Sequence, residues 1–314
     1  MIQMYNLKKC NICPRKCGAD RTCGTGYCGQ GAEIKIARAA PHYWEEPCIS
    51  GERGSGTVFF SGCSLRCVYC QNADIAHGGF GKEIPCERLC EIFFELAEKG
   101  VHNINLVTPT HFTPQIREAI IMAKSRGFSL PFVYNCGGYE SVETLRMLDG
   151  LIDIYLTDFK YMSPARAKKY SAAENYPEVA KAATAEMVRQ TGEPIFSADG
   201  LMKRGTIVRL LILPEGLLDA KSVLRYLHRT YGGRIYISIM NQYTPMVQLT
   251  SHSGNQKELE EAARQEPQLM RKVTVREYEQ VVDYALQLGI TNAFIQEGDV
   301  AKESFIPDFD TTGV

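Results

Sequence analysis

TVFFSGCSLRCVYC, residues 57–70, sets an apolar run directly before three closely spaced thiols, and the rest of the chain is read outward from it. TVFFSG (57–62) has the β-branched and aromatic content of a buried strand. PCERLCEIFFELAEKG (85–100) reads as a helix, opening on proline in its first turn and ending on glycine. NINLV (103–107) is the second strand, followed by a helix over 114–126, and PFVYN (131–135) is the third, followed by a short helix after Glu140. DIYLTDF (153–159) is the fourth, with helical stretches up to Gln190; TIVRLLIL (206–213) is the fifth, with a helix after Leu217. RIYISI (234–239) is the sixth, and a helix over 275–288 and AFIQE (293–297) close the pattern. Ile-, Val- and Leu-rich strands alternating with amphipathic helices imply a parallel sheet covered by helices. Six units are too few for an ordinary eight-unit barrel. The expected fold class is α/β, an open partial (β/α)6 barrel, with a flat doubly wound sheet as the alternative. Both place ligands at the carboxyl ends of the strands.

Three segments follow: a Cys-rich module over 1–45, the partial barrel over 46–300 and a C-terminal tail over 301–314. The module carries CNICPRKCGADRTCGTGYCG and a short β-like run, Glu33 to Arg38, with too few apolar residues to build a core of its own. Hydrophobic residues make up 45% of the 314, which suits a globular chain. The net charge of -1 and the scattered basic residues give no nucleic-acid footprint. The start, MIQMYNLKKC, lacks the apolar core of a signal peptide, and no stretch reaches the length of a membrane helix, so a cytoplasmic protein without membrane contact is expected. All 12 cysteines lie at or before Cys136 and nine fall between Cys10 and Cys70. In a reducing compartment, thiols clustered this way point to metal rather than disulfides.

CSLRCVYC spaces Cys63, Cys67 and Cys70 as C-x3-C-x2-C immediately after the first strand. Three thiolates in one eight-residue loop converge on three irons of a cuboidal cluster and leave the fourth open to a small chelating molecule. A structural zinc site wants a fourth ligand nearby, and His77 and Cys86 are poorly spaced for one.

C-x3-C-x-Φ-C, with Tyr69 as the aromatic, resembles the signature of the radical S-adenosylmethionine (SAM) superfamily. Within it the sequence is similar to the pyruvate formate-lyase activating enzyme-like proteins of the PflX type. The segments carrying the resemblance are CNICPRKCG, PHYWEEPCISGERGSGTVFFSGCSLRCVYCQN, NLVTPTHFTPQI, NCGGYES, DIYLTDFKY, VRLLILP and ISIMNQYTP. The resemblance implies a 4Fe–4S cluster that binds SAM and reductively cleaves it, giving a 5′-deoxyadenosyl radical that abstracts hydrogen. It also implies an electron donor such as flavodoxin or ferredoxin.

Further positions match one at a time. Tyr69 would lie against the adenine, or simply pack the loop. Asp158 and Lys160, two apart on the fourth strand, share an interior face and need either a ligand or each other. Lys160 is also a candidate catalytic residue. Arg209 interrupts the fifth strand where relatives use a cation for the SAM carboxylate; an edge-exposed arginine is the alternative. Asn135 and Gln242 are candidate ribose or carboxylate contacts. Where most members carry a Gly-Gly-Glu loop for the SAM amino group, this chain has Thr108-Pro109-Thr110-His111-Phe112. Thr108 or Thr110 would supply an oxygen there, and His111 a proton or hydrogen bond at the site mouth, unless it is merely solvated.

Cys10, Cys13, Cys17 and Cys28 make a four-thiolate pattern that suffices for zinc or a second iron–sulfur cluster. Cys23 is a fifth candidate, and the resemblance favours Cys28. The leading expectation for function is hydrogen abstraction from a protein or peptide, such as a glycyl-radical enzyme. The alternatives are radical chemistry on a small molecule, or a non-catalytic metal or iron–sulfur scaffold.

Overall fold

The computed structural model describes residues 6–77, 79–245, 264–296 and 307–314. In chain order the strands are β1 (Ile34–His42), β2 (Ser55–Phe60), β3 (Lys82–Ile84), β4 (Ile104–Val107), β5 (Phe132–Cys136), β6 (Ile154–Asp158), β7 (Ile195–Phe196), β8 (Met202–Leu211), β9 (Tyr236–Met240) and β10 (Ala293–Ile295). The helices are α1 (Pro47–Ser50), α2 (Ala73–Ala76), α3 (Cys86–Glu98), α4 (Thr113–Ser125), α5 (Val142–Arg146), α6 (Pro164–Ser171), α7 (Tyr176–Thr191), α8 (Leu217–Tyr231) and α9 (Val275–Gln287). Every strand and helix named from the sequence is present. Glu297, the last residue of the expected closing strand, lies outside the described residues.

β2, β4, β5, β6, β8, β9 and β10 lie side by side in chain order, and all six of these pairings are parallel. A doubly wound sheet reverses its strand order at the centre, and this one does not. Right-handed crossovers that always step the same way leave the connecting helices on one face. The other face is enclosed by curling, which makes a partial α/β barrel and excludes the flat alternative.

Strand alternation layers the interior. On β5, β6 and β8 the apolar residues Val133, Leu156 and Ile207 share a face with Asn135, Asp158 and Arg209 two positions on. The apolar layer is closed by Ile49 of α1 and Met202, all fully or almost fully buried. The polar layer sits at the carboxyl ends. The opposite faces, including Tyr134, Tyr155 and Phe132, pack against the helices.

The amino-terminal region is joined to this sheet. β1 pairs antiparallel with β2 from Ile36 to His42, and β3 pairs with β1. The expected boundary at residue 45 therefore falls just after a strand that belongs to the barrel sheet. Residues 307–314 of the expected tail also dock on β1: Ala39 N donates to Thr312 O at 2.8 Å, and Thr311 N donates to Ala37 O at 3.0 Å. Phe309 meets Phe59 edge-on.

Candidate active site

The loop after β2 is pressed between the barrel and the amino-terminal module. Gly62 has φ +85, and a Cβ there would stand 2.5 Å from Gln30 Cγ and 2.6 Å from Cys28 O. Only glycine allows that approach. Two arginines fasten the loop: Arg15, between Cys13 and Cys17, donates to Ser64 O at 2.7 Å, and Arg66 donates to Tyr27 O at 2.8 Å. The chain then carries Cys63, Cys67 and Cys70 round the mouth of a cavity of about 240 Å³. Burial raises all three thiol pKa values, that of Cys70 to about 12, and the Lys160 ammonium pulls in the opposite direction. Ligation requires thiolates, so metal loading releases protons. Among the described residues, no three Cys, His, Asp or Glu side chains are already drawn onto one metal-binding point.

The ends of the other strands supply the rest of the lining. Asp158 and Arg209 are cross-strand partners in the β6–β8 register, and their side chains meet at 3.0 Å. Lys160 Nζ reaches the other oxygen of Asp158 at 2.5 Å. Burial works against ionising Asp158, but the Lys160 and Arg209 charges outweigh it and hold its carboxyl below the usual range. The two interior charges expected from the sequence thus have each other. Arg209 also donates to Asn135 Oδ1 and to Glu45 Oε2, the latter at 3.2 Å, so it is not the edge-exposed arginine.

Tyr69, Thr108, Asn135 and Gln242 line the same cavity. Thr108 adopts φ +58, a left-handed conformation unfavourable for a β-branched residue, and its N–H is tied to Asn135 O at 2.8 Å. Thr110 donates its hydroxyl proton to Glu140 Oε1 at 2.7 Å, and burial raises the Glu140 pKa to about 8.

His111 corrects an expectation. It is not at the mouth but inside a 3-10 turn, Thr110–Phe112, and is 1% exposed. Its Nε2 lies 2.7 Å from Ser61 O, and its backbone oxygen accepts from Arg21 at 2.7 Å. Burial depresses its pKa to about 3, so the ring is neutral and braces the end of β2.

Sequence reasoning missed Glu45 and Glu46, which enter the barrel from the loop after β1. Glu45 Oε1 accepts from Asn105 at 3.0 Å and Asn135 at 3.2 Å. Glu46 is buried, and its Oε2 has no partner among the described residues. Burial raises both pKa values, against the pull of Arg209. The available signal was two adjacent acids between Trp44 and Pro47, directly before the first barrel strand.

At the amino terminus, Cys10, Cys13 and Cys28 are buried, and Cys17 Sγ and Cys28 Sγ lie 3.5 Å from one point above Gly26. Burial pushes the Cys13 thiol up to about 12, and the neighbouring thiols Cys28 and Cys10 push the same way. Cys23 is exposed and turned to Asp20 O at 4.0 Å. Arg21 is 1% exposed, with Nη1 4.0 Å from Cys10 Sγ, and has no carboxylate partner among the described residues.

Residues 57–203, which run from within β2 through the thiol loop to the first residues of β8, match the model of the radical SAM superfamily. This segment belongs to that superfamily. The radical SAM segment thus contains the three thiols, Asp158 and Lys160, while Glu45 and Arg209 flank it on either side. Over 286 residues the chain is 26% identical to an uncharacterized protein of Methanocaldococcus jannaschii, covering 89% of this chain and 75% of the relative. Among solved structures it resembles Streptococcus suis SuiB bound to precursor peptide SuiA, with 12% identity and a TM-score of 0.49 over 76% of this chain and 47% of that one. It also resembles the FeFe-hydrogenase maturase HydG of Carboxydothermus hydrogenoformans, with 13% identity and a TM-score of 0.47 over 80% and 56%. The chain spans about half the length of these two solved proteins. Among the described residues no helix is long and apolar enough to cross a membrane.

Proposed function

We propose that this radical SAM enzyme is activating-enzyme-like, of the PflX type, and takes hydrogen from a protein or peptide. In this reading Cys63, Cys67 and Cys70 hold a 4Fe–4S cluster and the adjoining cavity takes SAM. The carrying observation is that the three thiols open onto the same cavity as the charged layer at the ends of β5, β6 and β8. Three soft thiolates suit iron, and a three-ligand set leaves room for an exchangeable one. The interior sets the carboxylates Glu45 and Asp158 against the cations Lys160 and Arg209. Fixed charges of both signs suit a ligand that itself carries both, and SAM has a carboxylate as well as a sulfonium and an ammonium.

When bound, the cluster and SAM supply one-electron cleavage that ends in hydrogen abstraction. The chain's own residues do the rest. Lys160 and Arg209 keep Asp158 ionised, Asn105 and Asn135 orient Glu45, and Leu65 and Tyr69 wall the cavity against water. With SAM inside, a protein or peptide substrate would present one side chain at the open side of this cavity. A small flavodoxin- or ferredoxin-type donor in the cytoplasm would supply the electron. Cys10, Cys13, Cys17 and Cys28 would hold a second metal, as zinc or an iron–sulfur cluster, whose negative thiolates balance Arg21.

Deuterium transfer tests the substrate class. Anaerobic turnover with SAM, a reductant and a deuterated glycyl-radical protein or peptide is expected to place deuterium in 5′-deoxyadenosine. Transfer only from a deuterated small molecule would favour the small-molecule alternative and overturn the protein reading.

A further inference from the structure

Cys67 differs from the other two thiols of its loop in what its sulfur touches. Its Sγ lies 3.0 Å from Ser171 Oγ. Ser171 Oγ lies 2.8 Å from Tyr161 OH, and Tyr161 OH contacts Tyr69 OH. Ser171 and Tyr161 are fully buried and Tyr69 is 5% exposed, so the line of hydroxyls is sealed from water. Its direction is fixed by chemistry. A ligating cysteine is a thiolate and has no proton to give, so Ser171 donates to sulfur, accepts from Tyr161, and Tyr161 accepts from Tyr69. Hydrogen bonds in such a chain polarise one another, more so where the surroundings are dry.

The serine is held in place independently of this line. It is the last residue of α6, followed by Ala172 in the left-handed conformation. Its carbonyl accepts from Arg15 Nη2 at 3.2 Å and from the Arg66 backbone N–H at 3.4 Å. One arginine of the amino-terminal module and one residue of the thiol loop thus fix the donor against the sulfur it faces.

We infer that Ser171, backed by Tyr161 and Tyr69, is a positioning residue that sets the reduction potential of the cluster on Cys67. The inference rests on the reading that Cys63, Cys67 and Cys70 hold that cluster. Reduction adds negative charge, part of which falls on the cysteine sulfurs, and a donor aimed at a sulfur stabilises the reduced form more than the oxidised one. Removing the donor therefore makes the cluster harder to reduce.

The test is an EPR-monitored redox titration of the reconstituted full chain, with iron and sulfide measured in parallel. Ser171→Ala is expected to keep the wild-type iron and sulfide content and to shift the midpoint to more negative potential. Tyr161→Phe, which leaves Ser171 in place, is expected to shift it the same way by less. The double variant is expected to match Ser171→Ala alone, because the tyrosines act through the serine. A wild-type midpoint in Ser171→Ala, or two shifts that simply add, would overturn the inference. If Ser171→Ala fails to assemble a cluster, Tyr161→Phe decides, and an unshifted midpoint there overturns it too. A wild-type protein with no reducible cluster overturns this inference and the cluster reading together, whereas a cluster whose potential ignores both hydroxyls overturns this inference alone.

Discussion

Arg209 holds two largely buried carboxylates at once, Asp158 at 3.0 Å and Glu45 at 3.2 Å, with 21% and 10% of those side chains exposed. Removing one partner of a buried pair leaves an uncompensated charge, at about 3–5 kcal/mol. Arg209→Met, which keeps the aliphatic bulk, is therefore expected to lower unfolding stability by about that amount in a denaturant titration. A loss under about 1 kcal/mol would mean that the two acids are neutral or solvated. His111 gives a pH prediction. Its folded pKa, about 3, lies below the ordinary 6.5, so the unfolded chain binds the proton first as pH falls. Stability is full above about 6.5 and is lost as pH drops from there toward 3, and His111→Gln should flatten that acid limb in a melting series. These residues also show what a sequence hides. Asp158 and Arg209 were legible because charges stand out in apolar strands. Glu45 was not, because it sits in a loop and meets Arg209 across 164 positions. His111 was misplaced because only the 3-10 turn decides which way its ring points.

At the scale of elements, the strands were legible because a parallel strand buried on both faces is written as a mostly apolar run, as INLV in β4 and FVYNC in β5 are, each broken only by the asparagine that turns into the barrel. Edges were harder. β8 begins at Met202, four residues before the apolar run, because its polar start pairs with the two-residue β7. β1 was seen as a short run and proved to be a nine-residue strand of the main sheet, where pairing with β2 compensates for its weaker apolar pattern. The thiol loop depends on the module that precedes it, through Arg15, Arg66 and the close approach at Gly62. Replacing Cys10 and Cys13 with Ser is expected to remove the metal of the amino-terminal site and to expose residues 6–33 to protease, while β1 stays protected in the sheet. Cys23→Ser, with its side chain turned to Asp20, should change neither. Metal content equal to wild type in the double variant would contradict the four-thiolate reading.

For the whole molecule, strand order is the deciding feature. A monotonic parallel sheet curls, and curling brings the ends of β2, β5, β6 and β8 round one cavity, where Cys63, Asn135, Asp158 and Arg209 come together from distant parts of the chain. The α/β rhythm was legible in the sequence, and so was the cavity's place at the carboxyl ends. The shape of the lining was not, because it depends on how the sheet closes and on a tail whose Pro307 returns to the cavity rim. The radical SAM reading places the chemistry in this one cavity, and one measurement tests it most directly. The anaerobic 314-residue chain, loaded with iron and sulfide, is incubated with SAM and a strong reductant, and 5′-deoxyadenosine is quantified by mass spectrometry. The wild type is expected to form it, and a variant with Cys63, Cys67 and Cys70 all changed to Ala is expected to form none. Equal 5′-deoxyadenosine from the two proteins, or none from a wild type that holds about four irons per barrel cluster, would contradict the account.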